Sequence, residues 1–438
     1  MTRPPTSDAP SARLWRAVRH RASNPALMVF AANMLRAGCG FLIGLLVARV
    51  FGPAEFGLFT TFTVATIWAH NLIGEGFDPG VVRFYAKHHG GNAGRASAVL
   101  GSALIMRGLL VVPMLALFWV GSALWFAPDV ADVVRVGALT AVAASFATLS
   151  LAVLQARERF TAYALLTPFG NLLRLLCVPL LWLVAALSFW PLIWTQVLCF
   201  VLTAVIGMSL LRADLRRMEF DLRTLRELFA FGKWTALANF CFLLQAYLAV
   251  PVLTQVKGAV AAGVYAAAAT LLMVIDQFTV ALLTVKLPAT SRIDTLPGLR
   301  QYVERLLPRL FVVGSALLLL IPLADLIVGL VYGHAYVDSA QVMRALLPGF
   351  IATLISHPLY LVLYSLGRPQ GYAMSGVAAL GAWCLLATWL IPEHGVLGAA
   401  WATTGSRLLQ SALIVGMVSH AIRHRAPLSA SAGIPPTA

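Results

Sequence analysis

Charged residues are scarce in this chain of 438 residues: Asp, Glu, Lys and Arg together make up 11% of it. Soluble globular domains contain about 25% charged residues and about 45–50% apolar ones. Here the hydrophobic fraction is 60% and the mean hydropathy is +0.84. Because so little polar surface cannot cover a water-exposed body, the composition excludes a soluble protein of two or three domains. It predicts a polytopic helical membrane protein.

The sequence also lacks the motifs of a cofactor-binding or disulfide-bonded protein. It has no P-loop and no G-x-G-x-x-G after a strand, so we expect no nucleotide-binding module and no cofactor. The five cysteines form no C-x-x-C and no Cys/His pairing, which excludes a disulfide framework and a metal site. They all lie inside apolar stretches, as Cys39, Cys177, Cys199, Cys241 and Cys384.

Basic residues outnumber acidic ones by 32 to 17, which gives a net charge of +15. Nucleic-acid-binding proteins concentrate such charge on a soluble face. Here the basic residues lie at the ends of apolar segments, which is the distribution that membrane orientation requires. We therefore expect contacts with membrane lipids and no nucleic-acid partner.

Apolar stretches long enough to cross a bilayer alternate with short polar breaks along the whole chain. Twelve such spans are predicted, at 26–50, 56–80, 96–121, 131–156, 161–185, 191–212, 229–251, 259–286, 306–330, 341–366, 371–391 and 396–422. Residues 1–25 carry five arginines and no apolar h-region, which predicts a basic cytosolic arm and no cleavable signal peptide. Residues 423–438 are rich in Pro, Ser and Ala, which predicts a disordered cytosolic tail.

The positions of Lys and Arg test the number of spans. With the N-terminus in the cytosol, 24 of the 32 basic residues fall in the arm, the inner loops and the tail. Only Arg49 and Lys257 lie on the outer side, and the other six basic residues lie within spans. Since a missed or extra helix would invert half of this distribution, the pattern predicts twelve spans with both termini in the cytosol.

Two segments of the chain match each other at an offset of 206 residues. Residues 52–59 follow the first span, residues 258–265 follow the seventh, and both read G-x4-G-[LV]-[FY]. Because six spans separate the copies, both halves enter the membrane from the same side. The repeat predicts two pseudo-symmetric six-helix lobes, 26–212 and 229–422, joined by an amphipathic cytosolic linker at 213–228.

Residues 48–59, ARVFGPAEFGLF, resemble the "AR-hydrophobic-LGP-x-EYG" signature of polysaccharide and oligosaccharide flippases. These proteins form the Wzx-type branch of the multidrug/oligosaccharidyl-lipid/polysaccharide exporter superfamily. The second copy of the repeat resembles the family's "G-x-x-x-VG-x-Y", and Leu287-Pro288-Ala289 resembles the "LP" that ends its eighth helix. Family members often carry an acidic residue in the seventh helix, where this chain has Gln245-Ala-Tyr247.

The resemblance implies an all-α, V-shaped bundle of about twelve transmembrane helices around a central cleft lined by helices one, two, seven and eight. It implies a flippase of the bacterial inner membrane and not an enzyme. The flippase would turn a glycan linked to undecaprenyl diphosphate from the cytosolic to the periplasmic leaflet by alternating access, for surface polysaccharide biosynthesis. We expect it to function as a monomer.

Four arginines fall near the middle of predicted spans: Arg36, Arg107, Arg174 and Arg407. Ionisable groups inside a bilayer are costly, so they normally face the bundle interior or an aqueous cavity. Because a guanidinium can engage two phosphate oxygens at once, these are the candidate substrate-binding residues. The alternative for each is a structural pair with a carboxylate or with helix carbonyl groups.

The candidate ion-coupling residues are Asp276, Glu75 and His70, with H+ or Na+ as the ion. Glu75 lies in the inner half of the second span and Asp276 within the eighth, and both could instead compensate the charge of nearby arginines. His70 matches Asp276 at the 206-residue offset, and its alternative role is that of a packed, hydrogen-bonded histidine.

Two other functions are compatible with a membrane protein of this size. A drug or cation antiporter of the same superfamily would need an acidic cleft, whereas this chain has more mid-membrane arginines than acids. A polysaccharide polymerase or ligase typically carries a large outer loop, whereas the longest outer loops here, near 122–130 and 331–340, are short.

Overall fold

The structure is a computed structural model that describes residues 25–89, 93–183, 187–290, 295–365 and 369–423. The predicted cytosolic arm and tail lie outside these ranges, except for one residue of each. Within the described ranges the chain forms fifteen α-helices and three short 3-10 turns, with no strand.

The helices are long because the apolar runs of the sequence are long, and glycine and proline mark most of their breaks. They are α1 (Pro25–Ile73), α2 (Asp78–His89), α3 (Ala93–Trp125), α4 (Pro128–Ala156), α5 (Phe160–Leu183), α6 (Phe189–Leu210), α7 (Arg212–Leu215), α8 (Leu222–Tyr247), α9 (Ala249–Lys257), α10 (Ala259–Thr290), α11 (Leu296–Leu317), α12 (Leu320–Tyr332), α13 (Val337–Ser356), α14 (Tyr360–Ser365) and α15 (Pro369–Arg423).

The described helices account for twelve membrane spans. Eight helical stretches are each long and apolar enough to cross a membrane. Two further pairs, α8 with α9 and α11 with α12, do so as spans bent by 47° and 55°. Two of the eight stretches, α1 and α15, each consist of two spans that are divided by a break, at Gly52 and at Gly395. The count of twelve agrees with the sequence prediction.

The two copies of the repeat begin with the same backbone conformation. Gly52 has φ 79° and ψ −177°, and Gly258 has φ 86° and ψ 171°. A positive φ of this kind is open to glycine and strained for residues with a Cβ atom. Each glycine lies between one helix and the next, so the two copies of the repeat match in backbone conformation as well as in sequence.

The helices form two compact units. The first unit comprises Met1–Leu46 and Ala65–Asn239, and the second comprises Val47–Val64 and Phe240–Ala438. The segment around Gly52 therefore belongs with the second half of the chain, and the first part of α8 belongs with the first half. The lobes predicted at 26–212 and 229–422 differ from these units in those two segments.

Close helix contacts explain why residues 47–64 belong to the second unit. A Cβ atom on Gly57 would overlap the carbonyl group of Ala259, and one on Gly263 would overlap the backbone that follows Gly52. The hydroxyl groups of Thr61 and Thr254 are 2.8 Å apart and hydrogen-bonded. The second glycine of each repeat copy thus permits the two copies to pack backbone against backbone.

The two basic residues predicted in outer loops both bind the C-terminal end of a helix in the second unit. Arg49 donates from Nε to the carbonyl oxygen of Val331, at 2.6 Å, and from Nη2 to that of Leu330. Lys257 donates from Nζ to the carbonyl oxygen of Pro392, at 2.9 Å. Cations at this end of a helix satisfy free carbonyl groups and interact favourably with the helix dipole.

The end of the second predicted span, which contains Gly74, Gly76 and Gly80, is broken. Helix α1 ends at Ile73, a 3-10 turn covers Glu75–Phe77, and α2 follows at once. Residues 81–89, which were predicted to form an inner loop, are helical instead. The reason is burial, because Val81 and Tyr85 pack in a buried cluster with Leu100 and Leu228.

The predicted amphipathic linker at 213–228 is divided by a helix start. Asp221 caps α8: its carboxylate accepts hydrogen bonds from the Thr224 hydroxyl at 2.6 Å and from the backbone N–H groups of Thr224 and Arg223 at 3.0 and 3.1 Å. These bonds, the Thr224 hydroxyl first, hold the pKa of Asp221 below its ordinary value of 3.8. Residues from Leu222 onward therefore form helix α8.

Candidate functional site

The seven residues predicted to form the site lie in two groups. The first unit contains Arg36, His70, Glu75, Arg107 and Arg174, and the second contains Asp276 and Arg407. Within the part of the chain that the structure describes, no three His, Cys, Asp or Glu side chains come together as they would around a metal ion. The chemistry of both groups is that of charges, hydrogen bonds and aromatic rings.

Arg107 forms a closed ion pair inside the first unit. Its side chain, on α3, is 0% exposed and binds the carboxylate of Asp78 at the start of α2. Its Nε donates to the carbonyl oxygen of Ser145 at 3.1 Å. Gly74 lies directly against the guanidinium, since a Cβ atom there would collide with it. Asp78, which was not among the predicted site residues, thus neutralises one of the four mid-span arginines.

Arg36 and Arg174 are different, because neither has a carboxylate partner among the described residues. Arg174, on α5, donates to the Gln196 amide oxygen at 3.2 Å and to the Gly170 carbonyl at 3.3 Å, and its guanidinium lies 4.6 Å from the ring centre of Phe200. Arg36, on α1, is exposed.

Helices α1 and α5 are hydrogen-bonded to each other near Arg36 and Arg174. Asn171 donates from its side-chain amide to the main-chain oxygen of Arg36 at 2.7 Å. Asn171 lies one helical turn before Arg174 on α5, so this bond brings the backbone of Arg36 beside that turn. Two neighbouring guanidinium groups without a counter-ion are unfavourable at membrane depth, and an anion bound by both would relieve that cost.

His70 and Glu75 form a second polar cluster in the first unit. His70 Nδ1 lies 3.3 Å from a carboxylate oxygen of Glu75, and His70 Nε2 lies 3.1 Å from the hydroxyl oxygen of Thr148. The Glu75 side chain is 43% exposed, whereas that of His70 is 12% exposed. Imidazole is the side chain that most often exchanges protons in proteins.

Arg407 and Asp276 form a two-point ion pair in the second unit. Arg407 donates from Nη1 and Nη2 to the two carboxylate oxygens of Asp276, at 3.0 and 2.8 Å. Its guanidinium carbon lies 3.8 Å from the ring centre of Phe350. Each residue neutralises the other, so the candidate substrate cation and the candidate coupling acid are each other's partners.

This pair lines a cavity of about 310 Å³ in the second unit. Two tyrosines on the lining, Tyr360 and Tyr372, stack with ring centres 4.2 Å apart and an interplanar angle of 28°. Two glutamines also line it, and the Gln245 amide donates to the Gln410 oxygen at 3.1 Å. His357 completes the polar part of the lining, and its Nε2 has no hydrogen-bond partner in the described chain.

These cavity residues were not predicted as site residues. Gln245 was noted only as a departure from the family pattern. His357 precedes Pro358 in the sequence, and the 3-10 turn His357–Leu359 interrupts the tenth span there. The turn separates α13 from α14, and Tyr360 is the first residue of α14. Polar residues such as His357 and Gln410 inside apolar spans are a sequence signal that could have indicated this cavity.

Comparisons with known proteins relate the chain to polysaccharide biosynthesis proteins. The sequence profile of the family described as "polysaccharide biosynthesis protein" matches residues 25–294. A Shigella flexneri protein described as an O-antigen transporter is 21% identical over 204 residues, which are 46% of this chain and 49% of that protein. The chain thus matches about half the length of this curated relative.

Solved structures show the same fold over nearly the whole chain. An inward-facing multidrug resistance MATE family transporter of the MOP superfamily has a TM-score of 0.74 at 12% identity, covering 91% of this chain and 98% of its own. The lipid II flippase MurJ, in an inward closed conformation, has a TM-score of 0.71 at 13% identity, covering 90% of this chain and 87% of its own. At such identities the likeness establishes the fold. The all-α fold of this transporter superfamily, predicted from the short motifs, is confirmed.

Proposed function

Because the chain belongs to the polysaccharide biosynthesis protein family, we propose that it is a flippase for a lipid-linked oligosaccharide of the undecaprenyl-diphosphate type. It moves this substrate from the cytosolic to the periplasmic leaflet of the bacterial inner membrane by alternating access, for surface polysaccharide biosynthesis. Both termini lie in the cytosol, the protein works as a monomer, and it is a transporter and not an enzyme.

The observation that carries this proposal is the contrast among the four mid-span arginines. Arg107 and Arg407 are neutralised by carboxylates, whereas Arg36 and Arg174 have no carboxylate partner in the described chain. A diphosphate offers several oxygens to two guanidinium groups and removes their mutual repulsion. We therefore assign the diphosphate of the substrate to Arg36 and Arg174, and a structural role to Arg107 and Arg407.

For energy coupling we assign a proton to the His70 and Glu75 pair. The exposed part of Glu75 gives the pair access to water, and the Thr148 hydroxyl orients the imidazole from its other side. Asp276 is the weaker candidate for an ion site, because Arg407 already occupies both of its oxygens. A bound Na+ would have to displace that guanidinium.

The antiporter alternative requires a site that attracts cations. The charge without a counter-ion at Arg36 and Arg174 is positive, and it would repel a cationic drug. The same positive charge attracts an anionic substrate. It therefore favours the flippase hypothesis over the antiporter hypothesis.

The test is export in a strain that lacks the chromosomal gene and carries variants on a plasmid. We expect the empty strain to accumulate lipid-linked glycan on the cytosolic face of its inner membrane. Arg36→Ala should abolish surface polysaccharide at normal protein abundance, because it removes one of the two guanidinium groups. Arg36→Lys should restore only a minor part, because a point charge lacks the planar two-point geometry.

The matched control is Arg135→Ala, which removes an arginine of the same unit that pairs with Asp132 at 2.8 Å. It should export normally. All values are normalised to folded protein in the membrane. Near-wild-type export from Arg36→Ala would remove this residue from the site. Normal surface polysaccharide in the empty strain, with no redundant transporter present, would refute the flippase itself.

A further inference from the structure

The cavity of the second unit has no role in the diphosphate site proposed above. Its volume of about 310 Å³ is at the lower end of the range for small-molecule sites and is roughly ten times the volume of a water molecule. A lone ion is too small to fill it. A single ring with polar substituents is the ligand size that this volume fits.

The cavity is electrically neutral as built. Asp276 and Arg407 are the charged residues of its described lining, and they bind each other through both oxygens of the carboxylate. A phosphate would have to break this pair to gain a guanidinium. The lining thus favours an uncharged ligand over an anionic one.

The polar groups of the lining are those that bind hydroxyl groups. The Gln245 amide donates to the Gln410 oxygen at 3.1 Å, and because each amide has two N–H donors and an oxygen acceptor, this one bond does not use up the capacity of the pair. His357 Nε2 lacks a partner among the described residues although it is buried. Buried polar groups in proteins are nearly always hydrogen-bonded, so this nitrogen indicates a missing partner.

The lining also contains aromatic rings. Tyr360 and Tyr372 stack face to face, and the imidazole of His357 meets Tyr372 edge-on with ring centres 5.8 Å apart. Flat aromatic surfaces next to amide groups suit ligands that present C–H bonds on one face and hydroxyl groups at the rim. A pyranose ring has both features.

We propose that the cavity formed by α8, α10, α13, α14 and α15 binds one uncharged pyranose unit of the glycan, with Tyr372 as its aromatic platform and Gln410 and His357 as hydroxyl partners. This inference rests on the proposed flippase function and adds a sugar site in the second unit to the diphosphate site proposed for the first. The cavity would then limit which glycans are exported.

The experiment measures sugar binding to the purified full chain in lipid nanodiscs. The probes are methyl α-D-glucopyranoside, methyl α-D-galactopyranoside and the methyl glycoside of N-acetylglucosamine, read by ligand-observed NMR. At least one should bind with a Kd on the order of 1–10 mM, as expected for a single small ring. Tyr372→Ala should weaken that binding by about tenfold or more, whereas Tyr372→Phe should retain it.

One control separates the cavity from general effects on the protein. Tyr163→Ala makes the same change in the first unit and should leave the Kd unchanged. If Tyr372→Ala fails to fold, Gln410→Ala supplies the same comparison. The proposal is overturned if no glycoside binds the wild type, or if a folded Tyr372→Ala variant binds as well as the wild type.

Sodium binding is the remaining outcome that would overturn the proposal. If 23Na relaxation shows binding that Asp276→Asn abolishes and that glycosides do not affect, the cavity is an ion site. The flippase proposal fails separately, through normal surface polysaccharide in the deletion strain. If Arg36→Ala loses export and no glycoside binds the wild type, the sugar-site proposal fails and the flippase proposal stands.

Discussion

The buried pair of Arg107 and Asp78 allows a test in which structural and substrate roles give opposite results. Arg107→Met removes a guanidinium that is 0% exposed and leaves a carboxylate whose side chain is only 12% exposed without its cation. Asp78→Leu leaves the guanidinium without its anion. Breaking a buried ion pair from one side costs about 3–5 kcal/mol of stability, because an uncompensated charge stays in the interior.

Replacing both residues should be far less harmful than replacing one. The double variant Arg107→Met, Asp78→Leu exchanges two charges for apolar side chains of similar length. Such replacements of buried pairs are often neutral or stabilising by about 1–4 kcal/mol. The carbonyl of Ser145 loses one donor, but it lies within α4. We therefore expect a strongly non-additive double-mutant cycle.

The assay is the thermal midpoint of the detergent-purified protein, combined with export in the complemented strain. At roughly 1 °C per kcal/mol for a chain of this length, each single variant should lose about 3–5 °C, and the double variant should lie near the wild type. Additive losses in the double variant, or single variants that melt like the wild type, would refute the reasoning. A double variant that folds and does not export would return Arg107 to the substrate site.

Two further substitutions test the repeat contact and the coupling pair. Gly57→Ala should cost about 1–3 kcal/mol or more, seen as a lower yield and midpoint, because its Cβ would overlap the Ala259 carbonyl group. Gly38→Ala, where nothing lies within 4 Å of the added Cβ, should be neutral, and equal behaviour of the two variants would contradict the contact. His70→Gln can keep a hydrogen bond to Thr148 but cannot hold a proton beside Glu75. It should lose most of the export driven by an imposed pH gradient in proteoliposomes, and export at the wild-type rate would exclude His70 from coupling.

Local features of the sequence were enough to predict the membrane fold. Span length, the positions of Lys and Arg, and the glycine breaks are each decided by a few consecutive residues, through the thickness of the bilayer and the local backbone conformation. The break at Gly52, its counterpart at Gly258 and the count of twelve spans were therefore accessible without any tertiary information. The helical continuation of α2 to His89 was missed, because it depends on burial against other helices.

The sequence by itself determined which residues carry charge at membrane depth, and only the tertiary structure decided what that charge does. Arg107 and Arg407 look the same as Arg36 and Arg174 in a hydropathy profile. The partners of the first two, Asp78 and Asp276, lie 29 and 131 residues away along the chain. Ion pairs form through space between helices, and no local period in the sequence encodes such separations. Which arginines remain available for an anion is thus a property of the packing.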